Sequence, residues 1–358
     1  MKTAPITHQA FSRYSWANIL WVIMISILGI PSFGQADEAQ DLYNQGLAQS
    51  QAQRYEEAVF SLQSAIRLFP RFAEAHHLLG LVYFNGLHES DKAIAHITQA
   101  VTLHPNFARA YLDLGRLYQN QGQLPQAESA LHQALDVYPG YADAYLALIL
   151  VQDQLGKIPV ATKGYEAILK RQPHQPQALF NLAIRYDQAG KTHKARMLLN
   201  TLTEAHPKHV EGWMLRARLA EKGNQQTQAI ESYERALHIQ PDQLDAHYAL
   251  GFLKQAQGQP EQAIKHFQEV IRLDTDHAEA HLNLGVLYAQ QTHLAKAEQE
   301  YLRALALNPS LAEAYYNLGV FYEFYQKDTD KALRQYQQYI DRGGKDERIQ
   351  NLLKKTGS

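Results

Sequence analysis

The sequence contains no cysteine. That absence excludes structural disulfides, thiolate catalysis, cysteine-ligated zinc, covalent haem attachment and a lipid-modified N-terminal cysteine. A surplus of one charge is missing too. With 34 basic against 36 acidic side chains there is no basic excess to hold a phosphate backbone, so nucleic acid is not expected as a partner. Also lacking are a glycine-rich phosphate loop, a nucleophile elbow and a kinase-type signature. No catalytic residue, cofactor or resident metal is implied, and an enzyme is not expected.

Long apolar runs are scarce. Lys2 and Arg13 precede a single one, "WANILWVIMISILGI", and Pro31, Ser32, Gly34 and Ala36 follow it. A spanning helix needs about 20 apolar residues, so this 15-residue run is short for one, and small residues stand where a peptidase would cut. Residues 1–36 read as a secretory signal peptide, with an uncleaved membrane anchor as the alternative. Both send the remainder across a membrane, because the bases lie before the run while Asp37, Glu38 and Asp41 follow it. The expected location is periplasmic or secreted, or tethered to the inner membrane by the N-terminal segment. Removing Lys2 and Arg13 with the leader leaves 32 bases against 36 acids, a net charge of −4.

What the chain has in abundance is self-similarity. "AEAHHLLGLVY" at Ala73 returns as "ARAYLDLGRLY" at Ala108, "AEAHLNLGVLY" at Ala278 and "AEAYYNLGVFY" at Ala312. More diverged copies start at Ala39, Ala142, Pro176, Val210 and Leu244, each 34 residues from its neighbour apart from one step of 35. Apolar positions within a copy follow helical spacing, as in Tyr111, Leu114 and Tyr118, and continue on a second helix at Leu131 and Ala134. A turn separates the helices, marked by Gly122, Gly156, Gly190 and Gly258. Pro70, Pro105, Pro139, Pro173, Pro207, Pro241 and Pro309 close seven of the copies. Two positions are small, as a close crossing of two helices requires. On the first helix they are Gly46, Gly80, Gly115, Ala183, Ala217, Gly251, Gly285 and Gly319; on the second, alanine from Ala58 to Ala332 in all nine copies.

These offsets resemble the tetratricopeptide repeat, a helix-turn-helix family, over about residues 39–344. The resemblance implies an all-α, right-handed α-solenoid (superhelix) of about nine repeats, occupying residues 37–344 and closed by a capping helix at 345–358. There Ile349, Leu352 and Leu353 share one face of "KDERIQNLLKK". Some relatives carry a catalytic domain after the repeats; the 14 residues from Lys345 onward lead us to expect none in this sequence. Three departures stand out: Ile149 at a small position, Arg216 in place of a leucine, and Thr275 in place of a closing proline. "HESDKA" and "KDTDKA" each add one residue to a turn. Local bends are expected at these places, without a break in the stack.

Seventeen histidines invite a metal reading, and His277 with His281, beside Asp274, Asp276 and Glu279, is the best case. The pair lacks the glutamate spacing of a zinc-protease helix. His281 also occupies the packing position of His76, His247, Tyr111, Tyr145 and Trp213, so it is read as a packed ring.

The resemblance further implies a concave wall built from the first helices, taking a protein or peptide ligand. The sixth residue of each repeat faces inward in this pattern: Asn44, Asp113, Asn181, Asn283 and Asn317, whose amides can pair with a peptide backbone. The fifth and ninth positions supply Phe180, Tyr248, Phe252 and Tyr316 as aromatic anchors, beside Tyr43, His77 and others. Arg109, Arg116 and Arg218 interrupt an otherwise acidic row formed by Glu74, Asp143, Glu211, Asp245, Glu279 and Glu313. The expectation is a non-catalytic interaction scaffold for an envelope or secretion complex; the alternative is a self-associating or membrane-associated structural protein using the convex face.

The leader is checked by the intact mass of the chain recovered from its host. A chain beginning near Asp37 is expected; one still carrying Met1 makes the segment an anchor.

Overall fold

The computed structural model describes residues 33–356, so the expected leader lies outside it except for its last four residues. These open the first helix. Two compact bodies divide the chain after Pro173. The N-terminal body holds α1 (Phe33–Gln51), α2 (Tyr55–Leu68), α3 (Ala73–Asn85), α4 (Ser90–Leu103), α5 (Ala108–Asn120), α6 (Leu124–Val137), α7 (Ala142–Gln154) and α8 (Ile158–Arg171). The C-terminal body holds α9 (Pro176–Gln188), α10 (Thr192–Ala205), α11 (Val210–Lys222), α12 (Gln226–Ile239), α13 (Leu244–Ala256), α14 (Pro260–Leu273), α15 (Ala278–Gln290), α16 (Leu294–Leu307), α17 (Ala312–Val320), α18 (Thr329–Asp341) and α19 (Glu347–Thr356). This is an all-α solenoid. Four helix pairs make the first body, five pairs and a closing helix the second, and the described residues contain no strand.

Each pair is held by a close crossing. The alanines of the second helices, Ala58, Ala93, Ala127, Ala161, Ala195, Ala229, Ala263, Ala297 and Ala332, are all buried. Opposite them, a Cβ added to Gly80 would lie 2.5 Å from Ile97 Cγ1 and 2.9 Å from the Ala93 carbonyl oxygen. Gly46 meets Leu62 in the same way, Gly115 meets Leu131, Gly251 meets Phe267, and Gly285 and Gly319 meet Tyr301 and Tyr336. The glycine is thus the socket for a large side chain that is itself almost fully buried.

The fourth repeat solves this problem with the partners reversed. Ile149 sits where other repeats put glycine, is 2% exposed, and packs onto Gly164 of α8, where a Cβ would come 2.5 Å from Ile149 Cδ1. The missing volume has moved to the second helix.

Every turn between paired helices contains one residue in the left-handed region. Glycine supplies it at Gly122, Gly156, Gly190 and Gly258, and Gln53, His88, Asn224, Thr292 and Lys327 adopt the same conformation without that freedom. The residue after it usually donates its amide to a carbonyl five positions back, as from Gln123 to Tyr118 at 2.8 Å and from His293 to Tyr288 at 2.8 Å, which closes the helix end. In the second and ninth repeats the extra residue widens this closure to six positions, from Glu89 to Tyr83 and from Asp328 to Tyr322, both at 2.9 Å. The ninth repeat also absorbs it as a π-helical turn over Phe321–Gln326.

The other departures leave the stack intact. Thr275 lies in a turn where Asp274 Oδ1 accepts the Asp276 amide at 3.1 Å, the bond that Asn308 makes to Ser310 across Pro309. Arg216 lays its guanidinium 5.0 Å from the Trp213 ring centre. At the end of the chain Gly343 takes φ +90°, Asp346 Oδ1 accepts the Ile349 amide at 2.9 Å, and Ile349 is fully buried with Leu352 and Leu353 against the terminal core. The capping helix therefore covers the last repeat as its sequence pattern implies.

Two outcomes follow for thermal or denaturant unfolding. Gly164→Ala is expected to destabilise by about 1–3 kcal/mol through overpacking against Ile149, and in combination with Ile149→Ala to cost less than the sum of the two single losses; additive effects would separate the two residues. Thr292→Gly is expected to stabilise, because a β-branched residue in the left-handed region costs about 1–2 kcal/mol, more than the chain entropy glycine adds.

Candidate interaction face

The first helix of each repeat carries the residues that the sequence pattern points inward, and the two bodies present them differently. In the N-terminal body Asn44 is exposed on α1, its Oδ1 accepting from Gln40 Nε2 at 3.1 Å. Asp113 on α5 is not free for a ligand in that way. It is 7% exposed, with His77 Nε2 at 2.9 Å, Arg109 Nε at 3.0 Å and Arg116 Nη1 at 3.8 Å. The carboxylate fastens α5 to α3 and sets the two arginines, whose side chains stay about half exposed. Asp113 holds the Arg109 guanidinium above its ordinary range.

In the C-terminal body Phe180 and Asn181 are half-buried on α9, with Phe180 5.4 Å from the His209 ring. Asn283 on α15 and Asn317 on α17 each donate Nδ2 to the carbonyl four residues earlier, Glu279 at 2.7 Å and Glu313 at 2.8 Å. One N–H of each amide is thereby spent within its own helix, which fixes the orientation of the rest. Asn283 lies near the Tyr248 hydroxyl; burial and the nearby Glu279 push that phenol above its usual range. Tyr248 packs edge-on against Phe252 at 5.0 Å, and Phe252 against Phe267 at 5.3 Å. Phe252 stays 42% exposed. Tyr316 lies 5.3 Å from Tyr339, and Arg218 is exposed on α11 near the Tyr233 hydroxyl. The structure therefore joins Tyr248, Phe252 and Asn283 into one patch and Asp113, Arg109 and Arg116 into another.

Two recurring contacts were not read from the sequence. The fifth residue of a repeat packs its ring, tilted or edge-on, against the residue just before the next first helix: Tyr43 against Phe72 at 5.2 Å, His77 against Phe107 at 4.9 Å, Phe180 against His209, and Tyr248 against His277 at 4.9 Å. The recurrence of Phe, Tyr or His at that preceding position, in Phe72, Phe107, Tyr141, His209 and His277, was the available signal. Second, the fourth residue reaches back six positions to the carbonyl of the closing proline. Trp213 Nε1 donates to Pro207 at 2.9 Å, His247 Nε2 bonds Pro241 at 3.0 Å, and Tyr315 donates to Pro309 at 3.3 Å. His281, which follows Thr275, lacks this bond at its buried Nε2.

His277 and His281 serve separate packing ends. His277 Nδ1 accepts the Ala280 amide at 3.3 Å as the cap of α15, whereas His281 Nδ1 contacts Glu300 at 2.6 Å. Among the described residues no group of three or more histidines and carboxylates is placed to hold a metal ion.

Paired helices crossing on a glycine socket, repeated at 34 residues and closed by proline, define a helical-repeat protein of the solenoid class. Tetratricopeptide-repeat family models match residues 88–149, 154–219, 248–312 and 300–338, and a further TPR-repeat model matches 46–86 and 222–258. The chain belongs to the tetratricopeptide repeat family. Among solved structures it is similar to PilF of Pseudomonas aeruginosa, at 21% identity over 60% of this chain and 96% of that one, with a TM-score of 0.52. It is also similar to YrrB, described as a TPR protein with an unusual peptide-binding site (21%, 53% and 97%, 0.48), and to a tetratricopeptide repeat protein of Parabacteroides merdae (21%, 70% and 99%, 0.44). These likenesses concern the fold. No curated protein matches the sequence.

Asp113→Ala is expected to cost about 1–3 kcal/mol, because the buried His77 ring loses its hydrogen-bond partner. Arg109→Ala, at a largely exposed side chain, should cost at most about 1 kcal/mol. Equal effects in chemical denaturation would contradict this division.

Proposed function

We propose that this chain is a non-catalytic interaction scaffold that holds a partner protein, or an extended segment of one, along the faces of its first helices. The observation that carries this reading is the C-terminal patch. Phe252 keeps an aromatic ring 42% exposed beside Tyr248, and Asn283 stands next to that tyrosine with its amide oriented by its own helix. A fixed aromatic edge beside a fixed amide suits a peptide, offering apolar area and a backbone-like hydrogen-bonding group together. Membership of the repeat family supports the same use of the surface.

We further infer that the scaffold works outside the cytoplasm, since the N-terminal 36 residues have the pattern of an export signal. Among the described residues no helix is long and apolar enough to cross a membrane. The partner is a protein or peptide, and the process served is assembly of an envelope or secretion complex. A second reading, self-association through the second helices, draws on Phe60 and Met197, which are 67% and 58% exposed on α2 and α10.

The test is affinity capture from envelope extract with the tagged chain, beside variants Phe252→Ala and Asn181→Ala/Asn283→Ala/Asn317→Ala. A protein retained by the parent and lost by both variants, all equally helical, is expected. Unchanged capture sends attention to the second-helix surface, as does concentration-dependent assembly on a sizing column.

A further inference from the structure

Two repeats pair histidine with histidine across their own helix crossing. His76 on α3 and His96 on α4 place their Nδ1 atoms 3.2 Å apart, and His247 on α13 and His266 on α14 place theirs 3.0 Å apart. The ring centres, at 5.4 Å and 5.3 Å, exceed these distances by about two ring radii. Both nitrogens therefore lie close to the line of centres and meet head-on, as in a hydrogen bond, instead of converging on a shared metal ion. The eighth repeat has the same two positions filled by His281 and Glu300.

The outer nitrogen of the first-helix ring settles where the protons are in the seventh repeat. A proline carbonyl can only accept, so His247 must carry its hydrogen on Nε2, towards Pro241. Its Nδ1 is then a bare acceptor and His266 must be the donor; between His76 and His96, too, one Nδ1 must donate and the other accept. A first added proton can go to the far nitrogen of the donor ring without disturbing this bond. A second cannot, because it would set N–H against N–H and two positive rings in contact.

Surrounding groups do not relieve the conflict. Around His266 stand Lys254 of α13, paired with Glu234 of α12 at 2.7 Å, and Glu269 of α14 itself. Burial, followed by His247 and Lys254, lowers His266 to about 4, against the opposing pull of Glu234 and Glu269. Tyr83 stacks on His96 at 5.6 Å, and Lys92 lies over the Tyr83 ring at 5.2 Å. Burial holds both His76 and His96 below the ordinary range.

We propose that the second and seventh repeats are acid-labile joints, in which protonation of a histidine pair loosens one helix crossing while the eighth repeat, with His281 facing Glu300, stays closed. In the unfolded chain each histidine titrates near about 6.5, so the folded pair binds fewer protons below that pH and its stability, complete at neutral pH, falls as the solution is acidified. The helices that loosen carry interaction-face residues: His77, which holds Asp113, on α3, and Tyr248 and Phe252 on α13. A partner held there would be released on acidification; this last consequence rests on the scaffold reading, and the lability of the joints does not.

Hydrogen exchange by mass spectrometry on the free full-length chain, at about pH 7.5 and about pH 5 with times scaled to intrinsic exchange, separates the outcomes. Protection in α3, α4, α13 and α14 is expected to drop by about ten- to a hundredfold per unit of pH below about 6, as the exclusion of one to two protons requires, with α15 and α16 unchanged. His96→Glu with His266→Glu, which copies the eighth repeat, should abolish the drop. So should His76→Tyr with His247→Tyr, a residue that the third, fourth and ninth repeats carry at this position. Uniform loss across all repeats, or a drop that persists in either double variant, overturns the proposal.

Discussion

The fold depends on how closely two helices can cross. A repeat of about 34 residues has too little apolar surface to be stable alone, so its two helices must approach until backbone meets side chain, and each pair must then lean on the next. The glycine sockets make that approach possible. Gly251 receives the Phe267 ring, and Gly285 receives Tyr301, with alanine at the neighbouring crossing point. What is conserved through the chain is space rather than residue type. The fourth repeat makes this plain, since Ile149 fills the socket and Gly164 reopens it from the other helix.

The same economy of surface shapes the candidate site. Side chains that a repeat pattern assigns to a ligand are also those nearest the next repeat. Tyr43, His77, Phe180 and Tyr248 pack their rings against the residue preceding the following helix, and Asp113 is consumed by His77 and two arginines. Packing has first claim on these groups, so a ligand meets only what is left over. Of the aromatic anchors Phe180, Tyr248, Phe252 and Tyr316, only Phe252 is left exposed, nine residues into its repeat.

The histidine pairs show how one architectural position can carry different chemistry. In the sixth, seventh and ninth repeats the fourth residue is a ring that reaches the carbonyl of the preceding proline, as Trp213, His247 and Tyr315 do. Once that bond is made, a tryptophan or tyrosine has no second polar atom to satisfy, whereas an imidazole does. The residue opposite on the second helix therefore matters only where histidine is present: His96 and His266 make neutral bonds, and Glu300 makes a charged one.

From the sequence alone the periodicity, the paired helices, the small crossing positions and the capping helix were all legible, because each follows from local spacing and residue volume. Even the extra residues of "HESDKA" and "KDTDKA" were visible as insertions. Their outcome was not: one became a wider turn and the other a wider turn with a π-helical segment whose Phe321 and Tyr322 are buried in the terminal core. Left-handed backbone at Gln53, Thr292 and Lys327 was equally hidden, since those residue types do not announce it. The tertiary structure alone decided which inward residues remain available, that Asp113 is a fastener and Phe252 a free edge, and that His277 caps a helix while His247 faces His266. Such roles depend on groups brought together from different helices, and no spacing along one chain encodes the distance between two rings that meet across a crossing.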